Sequence, residues 1–342
     1  MVLEKDSSVL GYPGETSKAL SADHHDVCKY ESRRDPNYIT VRNALKSLVS
    51  KINATGGSSN PHASNRRNPG DLKSLLAITE LPDVDYILFR DQRSQGTGGW
   101  ILEDKDYLEW ADVQVPRHRI LWLNGGPGTG KSVLSSFIIN SLVARGSCCQ
   151  YFFIQFGDRK KRTLNFLLRS IAYQAAQSLP AFSQKIIEVV DQAINYETAD
   201  PRTIWERIYK GILFRMKLDK PLYWIIDGLD EASDPREIFR LFSDLSLSIV
   251  PVRVLLVSRR SSEIELAYQK ASKFVASCSM IIEGHLEDQR SYIWQELDMA
   301  GSPEFRDDVV RRVLETSHSN FLVSSVHNHR TRCLGANHHA SG

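Results

Sequence analysis

The sequence contains no CxxC pair. Its five cysteines, Cys28, Cys148, Cys149, Cys278 and Cys333, are odd in number and scattered over 342 residues. That pattern argues against a disulfide framework and against a cysteine-based zinc site, and it suits a reducing compartment. No apolar run approaches the ~18 residues of a membrane-crossing helix. The N-terminal MVLEKDSSVLG carries acids early and has no apolar core, so no secretory signal is read there. Charge of one sign is also lacking: 43 basic against 41 acidic residues leave a formal net charge of +2. Neither nucleic acid nor an anionic membrane has an electrostatic claim as main partner. These absences leave a cytoplasmic protein as the expectation. What is present is an ordinary globular composition, 42% hydrophobic and 25% charged, at a length suited to one large or two modest domains of roughly 100–200 residues each.

Large apolar residues are also scarce near the start of the chain. The stretch Asn53–Gly70, NATGGSSNPHASNRRNPG, has too little to bury to offset the entropy of ordering it. Residues 1–80 are therefore expected to be mostly disordered, apart from an amphipathic segment at Ile39–Ile52 with Val41, Leu45, Leu48, Val49 and Ile52 at helical spacing. From Leu81 onward the pattern alternates. Short apolar runs at Arg119–Asn124, Cys149–Ile154, Leu222–Asp227, Val252–Ser258 and Ser279–Glu283 read as strands. Between and after them, helical periodicity appears at Lys131–Ala144, Leu164–Gln177, Phe182–Ala193, Thr203–Met216, Pro235–Leu247 and Ser262–Lys270, with two more helices to about Thr316. Continuous apolar strands alternating with amphipathic helices predict an α/β fold, a parallel five-stranded sheet covered on both faces. The expected divisions are an α/β domain at 81–285, a helical extension at 286–323 and an irregular His-rich tail at 324–342.

The run Gly125-Gly126-Pro127-Gly128-Thr129-Gly130-Lys131-Ser132 fits G-x-x-x-x-G-K-[ST]. Glycines let the backbone curl around a phosphate with its N–H groups inward, and the helix that follows adds its positive end. Lys131 would supply charge to the β/γ-phosphates and Ser132 a hydroxyl to magnesium. The motif follows an apolar strand and precedes an amphipathic helix, the context that distinguishes a phosphate-binding P-loop from a chance match. Such a loop needs an acid for the metal. In LYWIIDGLDEA, Asp227 closes an apolar strand and Asp230 and Glu231 follow in the turn. Asp227 is the expected second magnesium residue, and Asp230 or Glu231 the group that polarises an attacking water. The bland alternative, that these acids only cap the next helix, is met by Asp234 alone. A third strand ends in Ser258-Arg259-Arg260, where Arg259 rather than Arg260 is placed to sense a γ-phosphate. The cofactors implied are ATP or GTP with Mg2+; no motif here touches the base.

Taken in order, the Trp100-Ile101-Leu102-Glu103 segment with Trp110, then ILWLNGGPGTGKS, YFFIQFGDR, LRSIAYQ, LYWIIDGLDEA, VLLVSRR and SNFLV resemble the NACHT domain of fungal STAND proteins. These are relatives of NOD-like receptors, of the nephrocystin-3-like N-terminal type, and the resemblance covers about Ile87–Val323. Its most specific part is Asp227-Gly228-Leu229-Asp230-Glu231, where a small residue separates the first acid from the later pair. The resemblance implies a P-loop NTPase fold and a nucleotide-driven signalling switch with slow hydrolysis. It further implies self-oligomerisation through the module and a setting of self/non-self recognition. The ends depart from the pattern. The first 80 residues match no effector domain, and the tail SSVHNHRTRCLGANHHASG has no acid, which reads as a truncated or misjoined product rather than as a metal site built from His327, His329, His338 and His339. Two other readings stand beside the switch. One is a turnover ATPase or kinase of the AAA or another P-loop type, with Asp158–Arg162 as a basic lid instead of a solvated loop. The other is a nucleotide-binding scaffold fragment without hydrolysis.

Overall fold

The computed structural model describes residues 38–43, 69–112, 117–189, 194–296 and 303–317. The chain divides into two units, Met1–Arg66 and Arg67–Gly342. In the first, residues 38–43 form a helical turn that overlaps the expected amphipathic segment. The rest of that segment, the expected disorder before residue 69 and the His-rich tail lie outside the described residues.

The second unit is built on five parallel strands: β1 (Ile120–Gly125), β2 (Cys148–Phe153), β3 (Leu222–Asp227), β4 (Val252–Ser258) and β5 (Ser277–Ile282). Their order across the sheet is β2-β3-β4-β1-β5. The three central strands are buried along their whole length, which is why they read as unbroken apolar runs. Alternate residues serve two cores. Ile120, Trp122, Leu222, Trp224, Ile226 and Val254 face one; Leu121, Leu123, Tyr223, Ile225, Leu255 and Val257 face the other. The first core is completed by α1 (Pro69–Leu75), α5 (Leu164–Ser178), α6 (Pro180–Val189), α8 (Pro235–Phe242) and α9 (Ser262–Ala271). The second takes α2 (Asp83–Asp91), α3 (Lys105–Ala111) and α4 (Lys131–Ala144). The expected sheet with helices on both faces is thus present. Trp110 is a plain core residue: it is fully buried and its Nε1 donates to the Val254 carbonyl at 3.1 Å.

Three expectations change in detail. The packed unit begins before residue 81: Leu72, Leu76 and Ile78 are buried in the first core, and Arg169 of α5 donates to the carbonyls of Leu76 and Ala77 at 2.8 and 2.6 Å. The signal was hidden because this short helix adjoins a run of Gly, Ser and Asn. The expected single helix at Thr203–Met216 is instead α7 (Pro201–Ile204), a π-helical stretch at Trp205–Lys210 and a tight turn at Leu213–Arg215. The Gly211 N–H reaches back five residues to Glu206 at 2.8 Å. Trp205 and Tyr209 stack at 4.8 Å within the core, a packing preference that helical periodicity does not report. Finally, α8 ends at Phe242, and Ser243–Leu247 tightens into a 3-10 turn.

After β5, α10 (Leu286–Glu296) and α11 (Pro303–Ser317) pack through Ile293, Val310 and Val313. Asp288 of α10 ties back to the main unit, accepting from the Gly98 N–H at 2.9 Å and the Trp100 indole at 3.1 Å. Among the described residues no helix is long and apolar enough to cross a membrane.

Candidate functional site

In a parallel sheet every strand ends on the same edge. The pairing register sets Asn124 of β1 beside Ser258 of β4, and Asp227 of β3 beside Phe153 of β2. The phosphate-loop motif, the acid turn and the Ser-Arg-Arg run therefore meet along one sheet edge, the edge at which open α/β sheets place their ligands. Two buried side-chain bonds hold that edge. Asn124 donates to the Met280 carbonyl at 3.0 Å, and the Trp122 indole donates to Ser258 Oγ at 2.9 Å.

The loop Gly125–Ser132 runs from the end of β1 into α4. Gly130, the residue before α4, has φ 80°, and no side chain caps the helix. Its first-turn N–H groups are left for an anion. Lys131 donates from Nζ to the Gly125 carbonyl at 3.0 Å, to the Gly126 carbonyl, and to Thr129 Oγ1 at 3.4 Å. Its ammonium rests on the loop's own oxygens. Burial lowers its pKa below the ordinary lysine value, an effect opposed by the charges of Asp227 and Asp230.

Ser132 and Asp227, ninety-five positions apart, are joined: Ser132 Oγ donates to Asp227 Oδ2 at 2.5 Å. Ser135 donates to the other carboxylate oxygen at 3.1 Å. Sequence reading passed over Ser135, although a small polar residue one turn after Ser132 on an apolar helix was the available signal. Burial pushes the Asp227 carboxyl up to about 6, against the opposing pull of the two serines and Lys131. A hydroxyl and a carboxylate set side by side next to a phosphate loop suit magnesium, which takes one or two protein oxygens and completes its shell with phosphate and water. Ser132 and Asp227 would hold it. Among the described residues no cluster of three or more His, Cys, Asp or Glu could hold a metal without such help.

The raised Asp227 pKa gives a signed pH dependence. The unfolded carboxyl ionises near 3.8 and the folded one near 6. Below both values the group contributes nothing. As pH rises through this window the unfolded chain releases its proton first, so folding loses up to about 3 kcal/mol by pH 7. Asp227→Asn is therefore expected to stabilise the nucleotide-free protein by about 1–2 kcal/mol at pH 7.5, with the gain vanishing near pH 4. Urea unfolding at the two pH values checks this. A variant no more stable than wild type at pH 7.5 would remove the argument.

The two later acids are engaged differently. Asp230 accepts the Arg259 backbone N–H at 2.9 Å and lies 3.5 Å from Arg259 Nε. Two residues expected to act on the nucleotide are thus paired with each other, while the Arg259 side chain stays more than half exposed. Glu231 Oε2 accepts the Phe156 N–H at 2.6 Å, and its backbone carbonyl accepts from Arg162 Nε at 3.2 Å. Phe156 was not among the expected residues, since a backbone N–H leaves no trace in sequence, and Arg162 was read only as part of a basic run. Arg260 instead pairs with Glu265 at 2.9 Å, away from Asp230.

Gly228 explains the small residue after Asp227. Its φ is 78°, and a Cβ there would stand 2.6 Å from the Ile154 carbonyl. Gly228→Ala combines backbone strain with that clash and is expected to cost about 2–3 kcal/mol. A denaturant midpoint unchanged from wild type would contradict this.

The family model described as "Nephrocystin 3, N-terminal" matches residues 96–259. Over 181 residues, 51% of this chain, the sequence is 28% identical to vegetative incompatibility protein HET-E-1 of Podospora anserina, and the match spans 13% of that relative's length. Among solved structures, AMPPCP-bound DnaA from Aquifex aeolicus matches with 16% identity and a TM-score of 0.35, over 63% of this chain and 56% of that one. The Aeropyrum pernix Orc1 protein in complex with DNA matches with 12% identity and a TM-score of 0.39, over 74% and 61%.

Proposed function

With residues 96–259 forming a nephrocystin-3-like NACHT domain of the fungal STAND type, we propose that the chain is a nucleotide-binding signalling switch. It binds ATP or GTP with magnesium and hydrolyses it slowly. The observation that carries this reading is the Ser132–Asp227 contact at 2.5 Å beside the Lys131 loop. In the bound state Gly125–Gly130 and Lys131 would take the phosphates, Ser132 and Asp227 the metal, and Glu231 a water. Asp230 would hold Arg259 at the γ-phosphate end. Magnesium would supply charge neutralisation between the phosphate oxygens. Self-association through the module, a cytoplasmic location and a part in self/non-self recognition, as the name of the incompatibility relative suggests, belong to the same proposal.

Isothermal titration with ATP and with GTP, each with and without magnesium, tests the first step. Magnesium-dependent binding of at least one triphosphate is expected, and binding of neither would end the reading. Size-exclusion chromatography with a non-hydrolysable triphosphate against ADP tests the switch, with a larger species expected only for the triphosphate. A second reading, binding without hydrolysis, is favoured by one observation: one oxygen of the Glu231 carboxylate already accepts the Phe156 N–H. A turnover assay separates the two.

A further inference from the structure

A second charge cluster is buried away from the phosphate loop. Asp85 of α2 and Lys161, in the loop between β2 and α5, are 6% and 8% exposed, and their charged atoms stand 2.6 Å apart. The other Asp85 oxygen accepts from Gln155 Nε2 at 2.9 Å. One carboxylate thus grips the β2–α5 loop near both of its ends. The loop is closed internally by Asp158, which accepts the N–H groups of Lys160 and Lys161 at 2.9 and 3.2 Å. A largely buried ion pair adds little net stability over apolar packing; what this one adds is a fixed position for the loop.

That position matters because the gripped loop holds the acid turn. Phe156, next to Gln155, donates its N–H to the Glu231 carboxylate at 2.6 Å. Arg162, next to Lys161, donates to the Glu231 carbonyl at 3.2 Å, covers the Phe156 ring at 4.4 Å and accepts at its own carbonyl from the Ser233 N–H at 2.9 Å. A continuous chain of contacts runs from α2 through the loop to Glu231. A carboxylate that accepts a backbone N–H is oriented by it. In this arrangement one oxygen of Glu231, Oε2, is turned toward the loop.

We propose that Asp85 is a positioning residue that acts as a brake on hydrolysis: by pinning Gln155 and Lys161 it keeps the Phe156 N–H on Glu231. The inference rests on the proposed role of Glu231 as the group that polarises water. It places control of that residue on α2, an element before the phosphate loop, so that a shift of α2 reaches the acid turn without passing through the nucleotide.

The test uses the full chain carrying Asp85→Asn, Gln155→Ala, and Asp85→Asn combined with Glu231→Gln. Gln155→Ala keeps the ion pair and serves if Asp85→Asn folds poorly. The brake predicts that kcat rises, by about tenfold for Asp85→Asn, the scale of one charge-assisted hydrogen bond, and by less for Gln155→Ala. Affinity for magnesium–nucleotide stays within about twofold, and the double variant is no faster than Glu231→Gln alone. A purely structural role would lower stability without raising turnover, so an unchanged or reduced kcat in both single variants overturns the proposal. So does an equal gain in the Glu231→Gln background. If wild type and variants bind nucleotide but none turns it over, the hydrolysis reading fails and the brake with it, and amide exchange at Phe156 then judges only the grip of Asp85 on the loop. Faster exchange in Asp85→Asn supports the grip, and unchanged exchange overturns it.

Discussion

Lys131→Ala is expected to weaken magnesium–triphosphate binding by at least about 100-fold, the loss of charge-assisted contacts from one ammonium to phosphate oxygens. In the nucleotide-free chain the ammonium is satisfied by the carbonyls of Gly125 and Gly126 and by Thr129. Removing it leaves those acceptors in a half-exposed loop that water reaches, so stability should change by about 1 kcal/mol or less. The pairing of a large affinity loss with a small stability change is the diagnostic result. Labelled-nucleotide titration and urea unfolding on the same preparation measure both. Unchanged affinity would mean that the loop does not cradle phosphate, whatever its spelling. A large stability loss would mean that Lys131 belongs to the scaffold.

Glu231→Gln is expected to keep nucleotide affinity and to slow turnover by roughly 100-fold or more, the usual share of a general base. Glutamine retains an oxygen for the Phe156 N–H, which Glu231 now accepts at 2.6 Å, so the loop and the acid turn keep their shape. Only basicity is removed. Single-turnover kinetics with magnesium–ATP and magnesium–GTP decide the matter. Undiminished turnover would transfer the role to Asp230, whose carboxylate is tied to Arg259. Lost binding would mean that the acids are assigned in the wrong order, with Glu231 rather than Asp227 serving the metal.

The two variants address residues that were legible to different degrees. Lys131 stands in a motif whose spacing is dictated by backbone geometry around a phosphate, and nothing in the tertiary structure was needed to select it. Asp227 was legible because a carboxylate closing an apolar strand is costly without a partner. Its neighbours were less so. Asp230, Glu231 and Arg259 could be located at strand ends, yet their partners depend on which strands lie side by side. Arg259 meets Asp230 because β4 adjoins β3. Glu231 meets the Phe156 N–H because β2 adjoins β3 on its other side.

The loop at Asp158–Arg162 shows the limit most clearly. As a run of charges it reads as a solvated connection, and Arg159 and Lys160 are indeed exposed, with Asp158 and Arg162 half-buried. Lys161 is buried against Asp85, seventy-six positions away. A charge can be buried only when an opposite charge arrives from elsewhere, and a linear pattern carries no record of that arrival.

The α/β class, the strand positions to within a residue or two and the phosphate loop are legible in the residues alone, because they follow from local rules: side-chain periodicity and helix-end chemistry. Only the tertiary structure decided that Ser135 shares Asp227 with Ser132, that Asp230 holds Arg259, and that a distant pair, Asp85 and Lys161, fixes the loop that holds Glu231. Each of those is a contact between groups far apart in the chain, set by strand order and register rather than by the residues' own preferences.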